Sequence, residues 1–326
     1  MKRCIFVPEL MIFHDQVIPV GIEKGSFKYG LSVKCFPVKS FFSLVKFSHT
    51  IFAMPFAMTG FFLGVAEQHT GIPWKILGLV VLCMVFARNA AMAFNRWLDR
   101  DIDAANPRTQ MREIPAGIIS ARSALTFVLL NCAAFILTTF FINRLCFALS
   151  PVALAVVLGY SYTKRFTWMC HLVLGLGLAL APVGAWLAVT GHFAVLPVLY
   201  GVAVLCWVAG FDVIYALQDD EFDRSQQLYS MPAFFGRFKA LRLSEALHVL
   251  AAGAMLAAAW VATQQVVSPG RLLWAGTLIF LGLLLYQHLL VKPHDLRRVN
   301  MAFFTTNGIA SVIFGLLAIL SVLTGF

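Results

Sequence analysis

A chain of 326 residues that is 60% hydrophobic and only 12% charged, with a mean hydropathy of +0.83, is too apolar for a water-soluble globular domain, whose apolar share lies near half. A formal net charge of +10 would suit a nucleic-acid binder, but the basic residues are distributed as a topology signal, so no nucleic-acid partner is expected. Seven cysteines without C-x-x-C spacing read as small buried apolar residues rather than as disulfides or thiolate metal ligands.

In chain order, residues 1–42 come first. They are less apolar than the rest, carry Pro8, Pro19 and Pro37, and begin with an apolar run after Lys2 and Arg3 too broken for a signal peptide. They are read as an N-terminal arm without assigned role. Residues 43–326 form one polytopic domain in contact with membrane lipid. Apolar runs of about 17–25 residues, the length a helix needs to cross hydrocarbon, predict nine helices near 44–66, 76–98, 123–142, 145–162, 168–190, 193–217, 246–263, 272–291 and 301–325. Barrel-type alternation is absent. The fold class is therefore all-α and integral to the membrane.

Of 25 Lys and Arg residues, twenty fall on one side if the N-terminus is cytoplasmic, Lys75, Arg144 and Arg271 fall on the other, and Arg88 and Arg96 lie within the second helix. That bias places the N-terminus in the cytoplasm and, with an odd helix count, the C-terminus outside. Four cytoplasmic loops result, at 99–122, 163–167, 218–245 and 292–299. Helices two and six each end in an acidic cluster followed by a basic loop, an echo that predicts that they face one another across a central cavity.

Eight of fifteen carboxylates fall in those clusters, Asp99/Asp101/Asp103 and Asp212/Asp219/Asp220/Glu221/Asp223. Like charges so close repel unless a cation lies between them, and hard oxygen ligands suit Mg²⁺, which takes phosphate oxygens as further partners. Asn95, Asp99 and Asp103 stand at i, i+4 and i+8, and Asp212, Tyr215, Asp219 and Asp223 at i, i+3, i+7 and i+11, so that each set lies along one helix face. Arg108, Arg112, Lys164 and Arg165 follow as diphosphate-binding cations. Arg88 is deep in helix two and must face the bundle interior; Asp212 lies at matching depth, and the two are expected to pair directly or through a polar substrate. His49 and His171 read as satisfied interior groups or substrate contacts. Gly175 and Gly177 read as close-packing residues. The residues alone also leave open a divalent-cation transporter, although the outer helix ends carry almost none of the polar residues a path would need.

The N-x-x-x-D-x-x-x-D element at Asn95/Asp99/Asp103, NPRT…REIPAG from Asn106 to Gly117, Tyr160-x-x-x-Lys164, D-x-x-Y-x-x-x-D-x-x-x-D at Asp212/Tyr215/Asp219/Asp223, and the pattern at Asn300, Phe303 and Asn307 resemble the UbiA-type intramembrane aromatic prenyltransferases, 4-hydroxybenzoate polyprenyltransferases among them. The resemblance covers nearly everything from Ser43 onward. It implies a nine-helix bundle around a central cavity open sideways to lipid, beneath a cytoplasmic cap of loops in a bacterial-type inner (plasma) membrane. It implies Mg²⁺ held by Asn95, Asp99, Asp103, Asp219 and Asp223, and transfer of a chain from polyprenyl diphosphate to an aromatic acceptor in quinone biosynthesis. Asn95, Arg108, Arg112, Tyr160, Lys164 and Arg165 are then expected to bind substrate. Asp212 and Tyr215 are expected to stabilise the allylic cation or orient the acceptor hydroxyl, and Arg88 or Lys46 to hold an acceptor carboxylate. The acceptor is 4-hydroxybenzoate or a dihydroxy-naphthoate; a further branch of the superfamily farnesylates haem. Asp220 and Glu221 are extra acids beside the second motif.

Overall fold

The computed structural model describes Leu44, residues 52–69 and residues 71–325, all within one compact unit, 38–326. The N-terminal arm, Lys46 and His49 lie outside the described residues. The helices are α1 (Met54–Glu67), α2 (Trp74–Leu98), α3 (Arg100–Ala105), α4 (Ala121–Phe140), α5 (Arg144–Thr163), α6 (Cys170–Thr190), α7 (Val195–Ala216), α8 (Asp220–Ser225), α9 (Met231–Phe235), α10 (Arg237–Gln265), α11 (Arg271–Leu290) and α12 (Asn307–Thr324), the last preceded by a π-helical turn at Met301–Thr306. No strand occurs among the described residues.

Eight of these elements are long and apolar enough to cross a membrane, counting the π turn with α12. The first of the nine expected spans is described as helix only over the 14 residues of α1. Helix α10 begins at Arg237, nine positions before the expected 246. Its first turns carry Arg237, Lys239 and Arg242, so an apolar-run criterion passes over a polar extension that is helical all the same.

Helix α7 is the centre of the bundle: 67% of its span is buried, against 17% for α2. It packs against α6 and α10, while α2 packs mainly on α4 and α11 on α12. The expectation for helices two and six is met in a modified form, since α2 and α7 line a common cavity but take their main packing partners elsewhere. Lipid tails are as apolar as leucine, so cohesion here comes from close packing and interhelical hydrogen bonds rather than from escape from water. Phe56 of α1, Trp207 of α7, Phe280 of α11 and Phe314 of α12 form one cluster with ring centroids 5.1–6.0 Å apart. Gly175 lets α6 approach the Leu205 carbonyl of α7 so closely that a Cβ would collide with it, whereas at Gly177 a Cβ would meet only Val157 at ordinary contact distance. Of the expected pair, only Gly175 is needed for packing.

The indole of Trp207 donates to Asn307 Oδ1 at 2.8 Å. Asn307 Nδ2 donates in turn to the Ala302 and Phe303 carbonyls at 2.9 and 3.0 Å, serving backbone acceptors at the irregular π turn. That turn brings Phe303 against Tyr215, with ring centroids 4.2 Å apart.

Candidate active site

The first acidic motif straddles a helix end. α2 stops at Leu98 and α3 starts at Arg100, yet Asp99 N–H donates to the Asn95 carbonyl at 2.9 Å and Asp103 N–H to that of Asp99 at 2.7 Å. The four-residue spacing thus survives the break, and all three side chains line one cavity. Asp99 and Asp103 are 2% and 4% exposed, and carboxylates so deeply placed require partners. Asp99 has two, Lys164 Nζ at 2.6 Å and Arg165 Nη2 at 2.8 Å. Asp103 accepts through both oxygens from Arg112 Nη1, at 2.7 and 2.9 Å. Asn95 Nδ2 donates to Asp99 at 3.1 Å.

The second motif repeats the arrangement. Below Ala216 the chain tightens into i→i−3 bonds through Asp219, after which α8 begins, with Asp223 N–H donating to the Asp219 carbonyl at 2.8 Å. The loop of the first motif reaches across to it: Asn106 Nδ2 donates to Asp219 Oδ1 at 3.3 Å, and Arg108 donates through Nε to the same oxygen at 2.9 Å and through Nη2 to Oδ2. Arg108 Nη1 also donates to the Tyr215 hydroxyl at 2.9 Å. Burial works against the Arg108 charge, but the bonds to Asp219 hold its pKa above the ordinary value. Burial, reinforced by the Asp219 charge, pushes the Asp223 carboxyl up, and a 2.8 Å hydrogen bond from Ser230 opposes that. The extra acids are separate from this assembly. Asp220 is bound by Arg237 at 2.8 and 2.9 Å, Glu221 pairs with the same arginine, and neither lines the cavity.

The cavity holds about 310 Å³. Asn95, Asp99, Asp103, Arg108, Arg112, Lys164, Asp219 and Asp223 line it towards the helix ends, with Arg88, Tyr160 and Asp212 deeper along α2, α5 and α7. Arg165 stands outside this wall, behind Asp99. The expected direct pair between Arg88 and Asp212 does not form. Asp212 Oδ2 is instead taken by His171 Nδ1 at 2.7 Å, a partner already at the start of α6. Arg88 Nε and Nη2 are buried with no hydrogen-bond partner among the described residues, beside a cavity wall shared with Asp212. His171, Asn106 and Ser230 are the site residues that sequence reasoning passed over or left without a partner; Asn106 alone carried a signal, as the first residue of NPRT.

Arg88, Met92, Tyr160, Leu174 and Leu178 also line a second cavity, of about 380 Å³, between α2, α4, α5 and α6. Its remaining walls are almost wholly apolar, from Val80 and Phe135 to Gly177 and Phe193. A polar chamber with paired carboxylates therefore shares a wall with a greasy one.

Among the described residues no three His, Cys, Asp or Glu side chains converge as a ready-made metal cluster; Asp99, Asp103 and Asp219 are each drawn to a cation and Asp223 to a hydroxyl. Mg²⁺ does not need such a cluster, since it keeps waters and takes one or two carboxylates plus phosphate oxygens. Four carboxylates and an amide oxygen around one chamber are a hard-oxygen donor set that fits it.

The chain belongs to the UbiA prenyltransferase family, whose model matches residues 53–309. It is 31% identical to a UbiA homolog from Aeropyrum pernix K1, whose apo structure matches with a TM-score of 0.73 over 82% of this chain and 96% of that one. The 4-hydroxybenzoate octaprenyltransferase of Aliivibrio salmonicida (strain LFI1238) is 31% identical over 176 residues, 53% of this chain and 61% of that protein. That of Photobacterium profundum is 35% identical over 170 residues, 52% and 59% of the two chains. The chain thus spans about three-fifths of the length of the curated relatives it matches. A UbiA homolog from Archaeoglobus fulgidus, whose structure is known bound to GPP and Mg²⁺, shares the fold at 20% identity, with a TM-score of 0.67 over 87% of this chain and 99% of that one.

Proposed function

We propose that the protein transfers a polyprenyl chain from its diphosphate to a carboxylate-bearing aromatic ring, 4-hydroxybenzoate in the first instance. The observation that carries this reading is the shared wall between the two cavities, which gives a diphosphate and its hydrocarbon tail adjoining chambers of opposite polarity. Names of relatives point the same way, as does the homolog bound to GPP and Mg²⁺.

Asp99, Asp103, Asp219 and Asp223, with Asn95, would hold Mg²⁺ at the cytoplasmic side. When bound, that ion supplies positive charge against the negative charge building on the departing diphosphate. Arg108, Arg112 and Lys164 are placed to donate charge-assisted hydrogen bonds to phosphate oxygens, and Arg165 to steady Asp99. The bond between the allylic carbon and the diphosphate oxygen breaks with its electron pair leaving on oxygen. The allylic cation left behind lies among apolar side chains that keep water from it. The acceptor ring forms the new carbon–carbon bond and then loses the proton from that ring carbon. Asp212 and Tyr215 stabilise the cation or hold the acceptor hydroxyl. Arg88 offers two unpartnered N–H groups to the acceptor carboxylate, a match to the planar guanidinium fork. Family membership favours this chemistry over the cation-transporter reading.

The test is a membrane assay that offers a polyprenyl diphosphate with 4-hydroxybenzoate or with a dihydroxy-naphthoate, with and without Mg²⁺. Metal-dependent prenylation of 4-hydroxybenzoate is expected. Prenylation of the naphthoate alone would reassign the acceptor, and Mg²⁺ transport into liposomes without any prenylated ring would remove the enzyme reading.

A further inference from the structure

Asp212 is the deepest acidic group of the site, and one of its oxygens is already committed. His171, 3% exposed at the start of α6, meets Asp212 Oδ2 through Nδ1 at 2.7 Å. Its other nitrogen, Nε2, receives the Met231 backbone N–H at 3.2 Å. A backbone amide only donates, so Nε2 carries a lone pair and the ring proton belongs on Nδ1, directed at Asp212. Asp212 Oδ1 makes no hydrogen bond among the described residues, and the residue lines the cavity. One oxygen is pinned and the other is left available on the chamber side of the bond.

Met231 is itself fixed. It opens α9, whose N-cap Ser230 accepts from Ala233 N–H at 3.3 Å, and the same Ser230 hydroxyl donates to Asp223 Oδ2 at 2.8 Å. The two adjacent residues Ser230 and Met231 therefore reach both ends of the second motif, Asp223 directly and Asp212 through the imidazole. Cys170, beside His171, bonds the Tyr229 carbonyl through its thiol at 3.4 Å, holding the same turn against the start of α6.

We infer that His171 is a positioning residue for transfer: by donating to one oxygen of Asp212 it fixes the orientation of the other towards the reacting carbons, with the Ser230–Met231 turn as its anchor. This inference rests on the reading of Asp212 as the group that meets the cation or the acceptor hydroxyl. A carboxylate free to rotate about its side-chain bonds would spend much of its time with neither oxygen aligned. Stabilisation of a developing charge depends on dipoles and charges already aimed at it.

The two bonds of the imidazole can be separated by two amide substitutions. His171→Asn places an amide where Nδ1 stands and keeps a donor for Asp212 while giving up the Met231 bond. His171→Gln reaches to the Nε2 position and keeps an acceptor for the Met231 N–H while giving up the donor. In proteoliposomes, His171→Gln is expected to lose about tenfold to hundredfold in kcat with KM for polyprenyl diphosphate within about twofold of wild type. His171→Asn is expected to recover most of that loss, whatever its thermal stability. A merely structural histidine would behave differently: both variants would lose activity in step with their loss of Tm, and that result, or an unchanged kcat in His171→Gln, overturns the inference. Wild-type turnover measured alongside separates this outcome from failure of the broader reading, because a wild type that prenylates no ring overturns both together.

Discussion

Arg108 donates to Asp219 across 111 positions of sequence, so a residue of the loop between α3 and α4 holds the carboxylate of the second acidic motif. The same guanidinium reaches the Tyr215 hydroxyl and lies 5.2 Å over the Tyr215 ring. It touches Asp219 and Tyr215 at once while belonging to the loop that follows Asp99 and Asp103. On the proposed reading, a diphosphate entering the chamber would meet this cation between the two motifs.

Arg108→Ala is expected to raise KM for polyprenyl diphosphate by about tenfold to hundredfold, the weight of charge-assisted bonds of about 1.5–3 kcal/mol. Arg108→Lys restores only part of the loss, since a single ammonium cannot reproduce the fork that serves Asp219 and Tyr215 together. Steady-state transfer at saturating acceptor checks both; equal KM in all three proteins would detach Arg108 from the diphosphate.

Neighbouring acids in one cluster are expected to behave oppositely. Asp219→Ala should abolish turnover while the protein still inserts and folds, because Asp219 lines the chamber. Asp220→Asn should keep the KM values and instead lower Tm, because Asp220 is held by Arg237 at the back of α8. Glu221→Gln, with its side chain 84% exposed, should change neither. Activity and Tm measured on the three variants separate these roles.

Two nearby glycines, Gly175 and Gly177, should also part company. Gly175→Ala drives a methyl group into the Leu205 carbonyl of α7 and is expected to lower Tm through overpacking of about 1–3 kcal/mol. At Gly177 a Cβ would meet Val157 only at ordinary contact distance, and the position lines the apolar cavity, so the ring of Gly177→Phe is expected to extend into that cavity. This variant should leave Tm nearly unchanged and shift preference towards shorter prenyl diphosphates, as read by competition between chain lengths.

Removing the Asn307 side chain leaves the Trp207 indole and the Ala302 and Phe303 carbonyls without this partner. Asn307→Ala is expected to cost about 1–3 kcal/mol of stability. It should also disturb catalysis through the Tyr215–Phe303 stack, so kcat should fall more than KM rises. A thermal melt and a kinetic series on the same preparation check this.

Much of this architecture was legible as apolar runs, because a helix that must satisfy its backbone in lipid announces itself by length alone. Runs say less about some ends: the end of α2 at Leu98 falls where its apolar run stops, but the polar opening of α10 at Arg237 leaves no mark in hydropathy. Spacing found the chamber's carboxylates, since Asn95, Asp99 and Asp103 recur every fourth residue and the backbone bonds preserve that interval through the break. Partner choice was not legible. Arg88 and Asp212 lie at similar depth and opposite charge, which predicts attraction, but His171 occupies Asp212 from α6, and nothing in a lone histidine 41 positions upstream identifies its target. The split between Asp219 and Asp220 was hidden for a similar reason, because adjacent residues on a helix point in different directions and only the fold shows which one meets Arg237.

The most direct measurement counts two products in one reaction: diphosphate released and aromatic ring prenylated, in liposomes holding wild type or the Asp99→Ala/Asp219→Ala double variant, across a Mg²⁺ titration. The two products should appear in equal amounts, rise together with Mg²⁺, and vanish in the double variant. Equal product formation in the double variant, or Mg²⁺ accumulating inside the vesicles with neither product made, would contradict the account.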